Sequence, residues 1–200
     1  MSISIRNLSK SFDGKAVLTD FSCDLPETGV VAMMGKSGIG KSTLINLLLG
    51  LRKPDSGKIS VPHGLRFSAV FQEDRLIEHM SARENLKLTT GKSMEEIDAA
   101  LRALSLNPEE KSPIRTYSGG MKRRVALARG VLFEADVLLL DEPFRGLDAE
   151  TREQAMMLVA ETWRGRLVIL VTHDEEEARR LGASEIITIG GGGDGQEGVS

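Results

Sequence analysis

Gly35-Lys36-Ser37-Gly38-Ile39-Gly40-Lys41-Ser42-Thr43 decides how the rest of the chain is read. An apolar run, Gly29-Val30-Val31-Ala32-Met33-Met34, comes before it, and Leu44-Ile45-Asn46-Leu47-Leu48-Leu49 comes after. The order is strand, glycine-rich loop, helix. The stretch fits G-x-x-x-x-G-K-[ST] at every fixed position, the pattern of a loop that cradles phosphate. Its glycines let the backbone curl so that successive N–H groups face one point. The helix that follows adds its free N-terminal amides and the positive end of its dipole. In such a loop Lys41 reaches the β- and γ-phosphates and the Ser42 hydroxyl ligates Mg²⁺.

Bulk properties narrow the classes. The chain has 200 residues, 40% hydrophobic and 28% charged, enough for one soluble globular domain with a sizeable core. A net charge of −3 offers no general electrostatic case for nucleic acid or an acidic membrane surface. The single cysteine, Cys23, excludes an intramolecular disulfide and suits a reducing compartment. Ile3 and Ile5 alternate with polar residues, as in a strand and unlike a secretory leader. No segment approaches the roughly 20 apolar residues of a membrane span, so work at a membrane would require a partner to supply the spans.

Outward from the loop, residues 3–31 read as short strands with a turn at Asp13-Gly14-Lys15. Phe12, just before that turn, either closes the edge of a small β-layer or offers its ring to a nucleobase. Lys58 to Val61 and residues 66–71 read as further strands, the second running into Gln72, at the strand end where open α/β sheets place ligands. The pattern then changes. Ser81-Ala82-Arg83-Glu84 and Ser93-Met94-Glu95-Glu96 each match a capping box, and Ile97, Ala100, Leu101 and Leu104 make an apolar helical stripe. Next, Ser118 is placed to cap a helix whose apolar face is Val125, Ala126, Ala128 and Leu132. With Gly119 and Gly120 beside it, this is a second helix N-terminus with bare amides suited to an anion, or else a glycine-opened helix with a solvated basic turn.

Residues 135–140 form a continuous apolar run, the mark of a parallel strand covered on both faces. The run ends in Asp141-Glu142-Pro143, where packing gives little reason for two carboxylates. Asp141 suits Mg²⁺ and Glu142 suits an attacking water. Asp148 is placed to cap a helix reaching Trp163. Residues 167–171 read as another buried strand, with His173 just past its end at the same edge as the carboxylates. A last strand covers 185–189, followed by a glycine-rich tail expected to be flexible.

Taken together, these pieces resemble the ATP-binding-cassette (ABC) ATPases, the nucleotide-binding subunits of ABC transporters, over nearly the whole chain and in the family's motif order. Gly35, Lys36, Ser37, Gly38, Gly40, Lys41, Ser42 and Thr43 look like Walker A, and Gln72 falls at the Q-loop. Ser118, Gly119 and Gly120 look like the signature motif, and residues 137–141 like Walker B with Glu142 in the catalytic-base position. Gly146-Leu147-Asp148 is similar to the D-loop, and His173 matches the switch histidine. Phe12 matches the aromatic that stacks on adenine. The chain departs from the usual pattern at Tyr117, Met121 and Arg145-Gly146; none of these removes a chemically active group.

The resemblance implies an α/β P-loop NTPase fold in one domain. Its RecA-like, mostly parallel sheet core and antiparallel β-layer would take residues 1–74 and 134–190, and a helical signature subdomain 75–133. ATP and Mg²⁺ are the implied ligands, with Ser42, Gln72 and Asp141 around the metal and Glu142, His173 and Lys41 in catalysis. The implied partners are a second ATPase subunit closing head to tail, transmembrane permease subunits and a substrate-binding protein, with no nucleic acid. The implied location is the cytoplasmic face of the cell membrane. Phe71 to Leu76 and Met121 look similar to importers of the nitrate, sulfonate or taurine type. A soluble ABC ATPase acting on nucleic acid or the ribosome is the alternative. Such proteins carry a long coiled coil or a second cassette; the stretch from Lys41 to Ser118 is too short for the one, and no second phosphate loop occurs.

Overall fold

The computed structural model describes residues 2–36 and 38–190. Ser37 and the glycine-rich tail at 191–200 lie outside the described residues. Three strands, β1 (Ser4–Phe12), β2 (Lys15–Asp24) and β4 (Ser56–Ser60), form an antiparallel sheet in the order β2-β1-β4. Five others, β3 (Gly29–Met34), β5 (Phe67–Val70), β6 (Val137–Asp141), β7 (Leu167–Val171) and β8 (Ala183–Thr188), form a parallel sheet in the order β5-β6-β7-β3-β8. β4 starts and ends earlier than the composition of 58–61 suggests, because its register is set by pairing: Ser60 lies opposite Ser4 and Ser56 opposite Ser9.

Strands β6 and β7 are buried at every position, and their side chains divide between two cores. Val137, Leu139, Leu167, Ile169 and Val171 face one way, toward Leu44, Ile45, Leu47 and Leu48 of helix α1 (Lys41–Leu48) and Ile5, Leu8 and Leu18 of the antiparallel sheet. Leu138, Leu140, Val168 and Leu170 face the other way. The two-residue side-chain period of a strand makes this division, and burial on both faces explains why both runs are uninterruptedly apolar.

On the second face lie the helices α2 (Ala82–Thr90), α3 (Met94–Ala103), α4 (Gly119–Leu132), α5 (Ala149–Thr162) and α6 (Glu175–Arg180). Between β5 and β6 the described chain forms only helices: α2, α3, one 3₁₀ turn at Ile114–Thr116, and α4. Both capping boxes form, with Ser81 and Ser93 accepting from the amides of Glu84 and Glu96 while those carboxylates reach back. Ile97, Ala100, Leu101 and Leu104 are buried and join Leu138 and Leu170 in a single core. Asn85, 1% exposed, holds the entry to α2 by accepting from the Ile77 amide at 2.8 Å and donating to the carbonyls of Ile77 and Ser81. The helical layer is thereby anchored to the sheet.

One glycine sets how closely it sits. Gly130 in α4 crosses β5 so tightly that a Cβ would lie 2.3 Å from Val70 Cγ2, and the Ser68 hydroxyl donates to the Gly130 carbonyl at 2.7 Å. Because α4 starts at the Ser118 turn, that crossing also places the turn.

Candidate functional site

The parallel strands all end at one edge, and the site residues follow from that. β3 runs into the phosphate loop, β5 into Gln72, β6 into Asp141 and Glu142, and β7 into Thr172 and His173. Gly35, Lys36, Gly38, Gly40, Lys41, Ser42, Thr43, Gln72, Asp141, Glu142 and His173 line one cavity of about 770 Å³. Val17 and Arg145 also line it, and neither carries a ligand-binding motif in the sequence. Val17 is there because β2 presses on the loop: a Cβ at Gly40 would lie 2.7 Å from the Val17 carbonyl oxygen. No local sequence signal links these two positions.

Helix α1 begins at Gly40, whose φ of 108° belongs to glycine, with no side-chain cap on its first amides. Lys41, Ser42 and Thr43, the first residues of the helix, line the cavity, and among the described residues no side chain caps their amides, as an anion site requires. Lys41 is 7% exposed, and its ammonium donates to the carbonyls of Gly35 at 2.6 Å and Lys36 at 3.0 Å. These bonds hold a positive charge across the loop. Asp141 is buried at the end of β6. Burial pushes its carboxyl up, while the hydroxyl of Ser42 donates to it and pulls it down. Ser42 and Asp141 are thus a paired hydroxyl and carboxylate, the hard oxygen donors that Mg²⁺ prefers.

Glu142 follows with φ of 45°, a left-handed backbone that is costly for a residue with a Cβ. Its amide donates to the Val171 carbonyl at 2.9 Å, and its own carbonyl accepts from Arg123 at 2.8 Å. The turn aims the carboxylate at the cavity, where Oε1 lies 3.3 Å from His173 Nδ1. The His173 ring is 70% exposed, open to a ligand from the cavity side. Behind it, Thr172 donates to Glu177 at 2.6 Å and accepts from the Asp174 amide, which fixes the turn. Burial raises the Glu177 carboxyl.

Phe12 and the signature-like turn lie elsewhere. The Phe12 ring is outside the cavity lining and carries the Arg52 guanidinium at 5.1 Å and the Lys10 ammonium at 5.6 Å. Ser118 caps α4 by accepting from the Met121 amide, and both Ser118 and Gly119 are exposed. Gly119 and Gly120 line a neighbouring cavity of about 650 Å³ together with Gln72, Glu142, Arg145 and Gly146. Three residues, Gln72, Glu142 and Arg145, therefore stand between the two hollows. Tyr117, the unusual residue before the turn, is buried and packs in the helical core.

Comparison with known proteins follows the same lines. Residues 18–145 match the ABC transporter family model. The chain is 39% identical over 188 residues to the aliphatic sulfonates import ATP-binding protein SsuB 1 of Shouchella clausii, covering 90% of this chain and 74% of that protein. It is 40% identical to SsuB 3 of Rhodococcus jostii, covering 96% and 73%, and 38% identical to the taurine import ATP-binding protein TauB of Roseobacter denitrificans, covering 92% and 76%. A solved dimeric structure of the ATP-binding cassette MJ0796, in a post-hydrolysis state bound to ADP and Pi, superposes with a TM-score of 0.82 at 26% identity over 94% of each chain.

Proposed function

The chain belongs to the ABC transporter family as an ATP-binding, ATP-hydrolysing subunit, and from this premise we propose which residues do the work and what they drive. The observation that carries the reading is the single cavity holding the uncapped α1 amides, Lys41, Ser42, Asp141, Glu142, Gln72 and His173, all brought there by strand ends of one sheet edge. Lys41 and the loop amides bind the β- and γ-phosphates. Ser42, Asp141 and Gln72 are the donors that would hold Mg²⁺, which when bound neutralises charge on the phosphate oxygens. Among the described residues no cluster of three His, Cys, Asp or Glu could cage a metal alone. A shared protein and phosphate site suits Mg²⁺, which keeps waters and phosphate oxygens as ligands.

Glu142 orients the attacking water and accepts its proton, and His173 holds the transferred phosphoryl oxygens from the other side. Phosphoryl transfer is largely positioning and charge stabilisation, which this arrangement supplies. Ser118 and Gly119 are exposed in this chain, and Gly120 beside them is half-buried. They serve the site of a second copy, closing head to tail over its ATP, in keeping with the dimeric relative. Phe12 meets the adenine, with Val17 beside it.

Among the described residues no helix is long and apolar enough to cross a membrane. The spans come from permease subunits, which place this chain on the cytoplasmic face. A groove of about 440 Å³ beside edge strand β5, lined by Leu49, Leu51, Phe67, Phe71, Arg129 and Phe133, suits a permease segment, since Leu51 and Phe133 are 58% and 40% exposed. The cargo is an organosulfonate, as in the sulfonate and taurine importers, delivered by a substrate-binding protein. The test is reconstitution with candidate permeases. Gln72→Ala should abolish permease-stimulated turnover and spare nucleotide binding; unchanged stimulation refutes the coupling role.

A further inference from the structure

The Arg123 side chain, on the first turns of α4, is 6% exposed and surrounded by backbone oxygens. Its guanidinium has five N–H donors, and all are used. Nε donates to the Pro143 carbonyl at 2.8 Å. Nη2 donates to the carbonyls of Asp141 at 3.0 Å and Glu142 at 2.8 Å. Nη1 donates to the Phe71 carbonyl at 2.5 Å and to Asp74 Oδ1 at 3.2 Å. One planar group therefore ties the three consecutive carbonyls at the end of β6 to both flanks of Gln72.

Two facts make this more than a buried ion pair. Glu142 sits in a left-handed conformation, φ 45°, which persists only where surrounding contacts over-determine it. The contacts on its carbonyl are Arg123 and the Arg145 amide. The segment on the other side of the guanidinium is held by the same helix a second time: Arg129 donates to the Asp74 and Arg75 carbonyls at 2.9 and 2.6 Å. Arg75, itself at φ 47°, stacks on the Phe71 ring at 3.7 Å and lines the apolar groove beside β5. Arg75 and Arg129 thus link the groove to the Gln72 loop, and Arg123 links that loop to the Glu142 backbone. Burial pulls the guanidinium pKa down, and the Asp74, Asp141 and Glu142 charges offset this only in part.

We propose that Arg123 is the positioning residue of the hydrolytic step: it holds the Glu142 backbone in its strained turn and makes that turn depend on where the Gln72 loop sits. The proposal rests on Glu142 being the residue that orients water. A Lys at 123 keeps the charge but has three donors in place of five and no planar fork, so it cannot span both segments. Movement of a reacting group by about 1 Å can cost on the order of 10²-fold in rate.

The experiment is steady-state hydrolysis by the full chain carrying Arg123→Lys or Arg123→Gln, with Mg-ATP affinity by calorimetry and amide hydrogen exchange by mass spectrometry. The expected result is a kcat lowered about 10- to 100-fold with KM and affinity within about threefold, the Lys variant retaining more activity than Gln. Exchange should rise together in residues 72–75 and 142–145 and stay unchanged in β7 and α1. A kcat within threefold of the parent, a loss of kcat matched by lost affinity, or exchange that rises in only one of the two segments overturns the proposal. Should both variants unfold, Asp74→Asn, at the rim of the same cluster, reads the coupling with Arg123 intact: kcat falls about threefold at unchanged affinity, and an unchanged kcat overturns it. Glu142→Gln run in parallel separates the two ideas: if it hydrolyses ATP normally, the role of Glu142 fails, whereas an inactive Glu142→Gln with a normal Arg123→Gln sinks the clamp alone.

Discussion

Helices α1 and α4 both begin on glycine-bearing turns suited to an anion, and the fold treats them in opposite ways. At α1 the turn is surrounded: Val17 presses on Gly40, Lys41 crosses the loop carbonyls, and Ser42 meets Asp141. Among the described residues no side chain caps its first amides. At α4 the turn is capped by its own Ser118, and Ser118 and Gly119 are open to solvent. A capped, exposed helix start is stable without any ligand, while an uncapped, enclosed one leaves donors for a ligand to satisfy. The difference supports the proposal that one chain carries a nearly complete phosphate site and, in the neighbouring hollow, an exposed turn that serves a second copy.

The largest expected effect lies at the complete site. Glu142→Gln should lower hydrolysis about 10²- to 10⁴-fold, the range for loss of a positioned general base, while Mg-ATP binding persists and gel filtration shows an ATP-dependent dimer. Phosphate release at the parent rate would remove Glu142 from the mechanism. Gly119→Asp probes the projecting half. A Cβ there meets nothing within 4 Å, so the fold should tolerate it, yet the new carboxylate would face phosphate. Hydrolysis should drop by about 10² or more through the lost contact and repulsion, with calorimetric ATP binding to the isolated chain unchanged. If binding weakens as well, the turn serves its own chain's site and the contrast between the two helices collapses.

Lys41→Ala should weaken Mg-ATP binding about 10- to 100-fold, because hydrogen bonds to a charged group contribute roughly 1.5–3 kcal/mol; equal affinity in calorimetry would contradict a phosphate role. The smallest effect concerns placement. Gly130→Ala puts a methyl 2.3 Å from Val70 Cγ2 at the crossing of α4 on β5. Overpacking of this kind costs about 1–3 kcal/mol, seen as a melting temperature several degrees lower. If the helical layer also tilts, hydrolysis should fall more than nucleotide binding, since the signature-like turn moves and the phosphate loop does not. Equal losses in both would show that α4 does not position that turn independently.

Much of this was legible in residue order. The capping boxes at Ser81 and Ser93, the Ser118 and Asp148 caps, and the doubly buried runs of β6 and β7 depend on neighbours a few positions apart, so local pattern reveals them. So does the phosphate loop, whose chemistry is carried by consecutive backbone amides. Gln72, Asp141, Glu142 and His173 line one cavity because parallel strands share the edge at which they end, the edge the strand-end rule points to. What local pattern could not supply is contact across the chain. Val17 and Arg145 line the cavity, Phe12 does not, and β4 starts earlier than its composition suggests.

Arg123 is the sharpest case. In the sequence it is one of three consecutive basic residues, Lys122-Arg123-Arg124, which reads as a solvated turn. In the fold Lys122 reaches the exposed Glu78, Arg124 caps the end of α3 through the Leu104 and Ser105 carbonyls, and only Arg123 turns inward. Successive helix positions are rotated by about 100°, so which of the three enters the core is settled by how α4 rests on β5 and β6. The sequence by itself determined the phosphate loop, the strand and helix order and the family. The tertiary structure alone decided which arginine braces Glu142 and which glycine-bearing turn stays open, because both depend on packing between segments far apart in the chain.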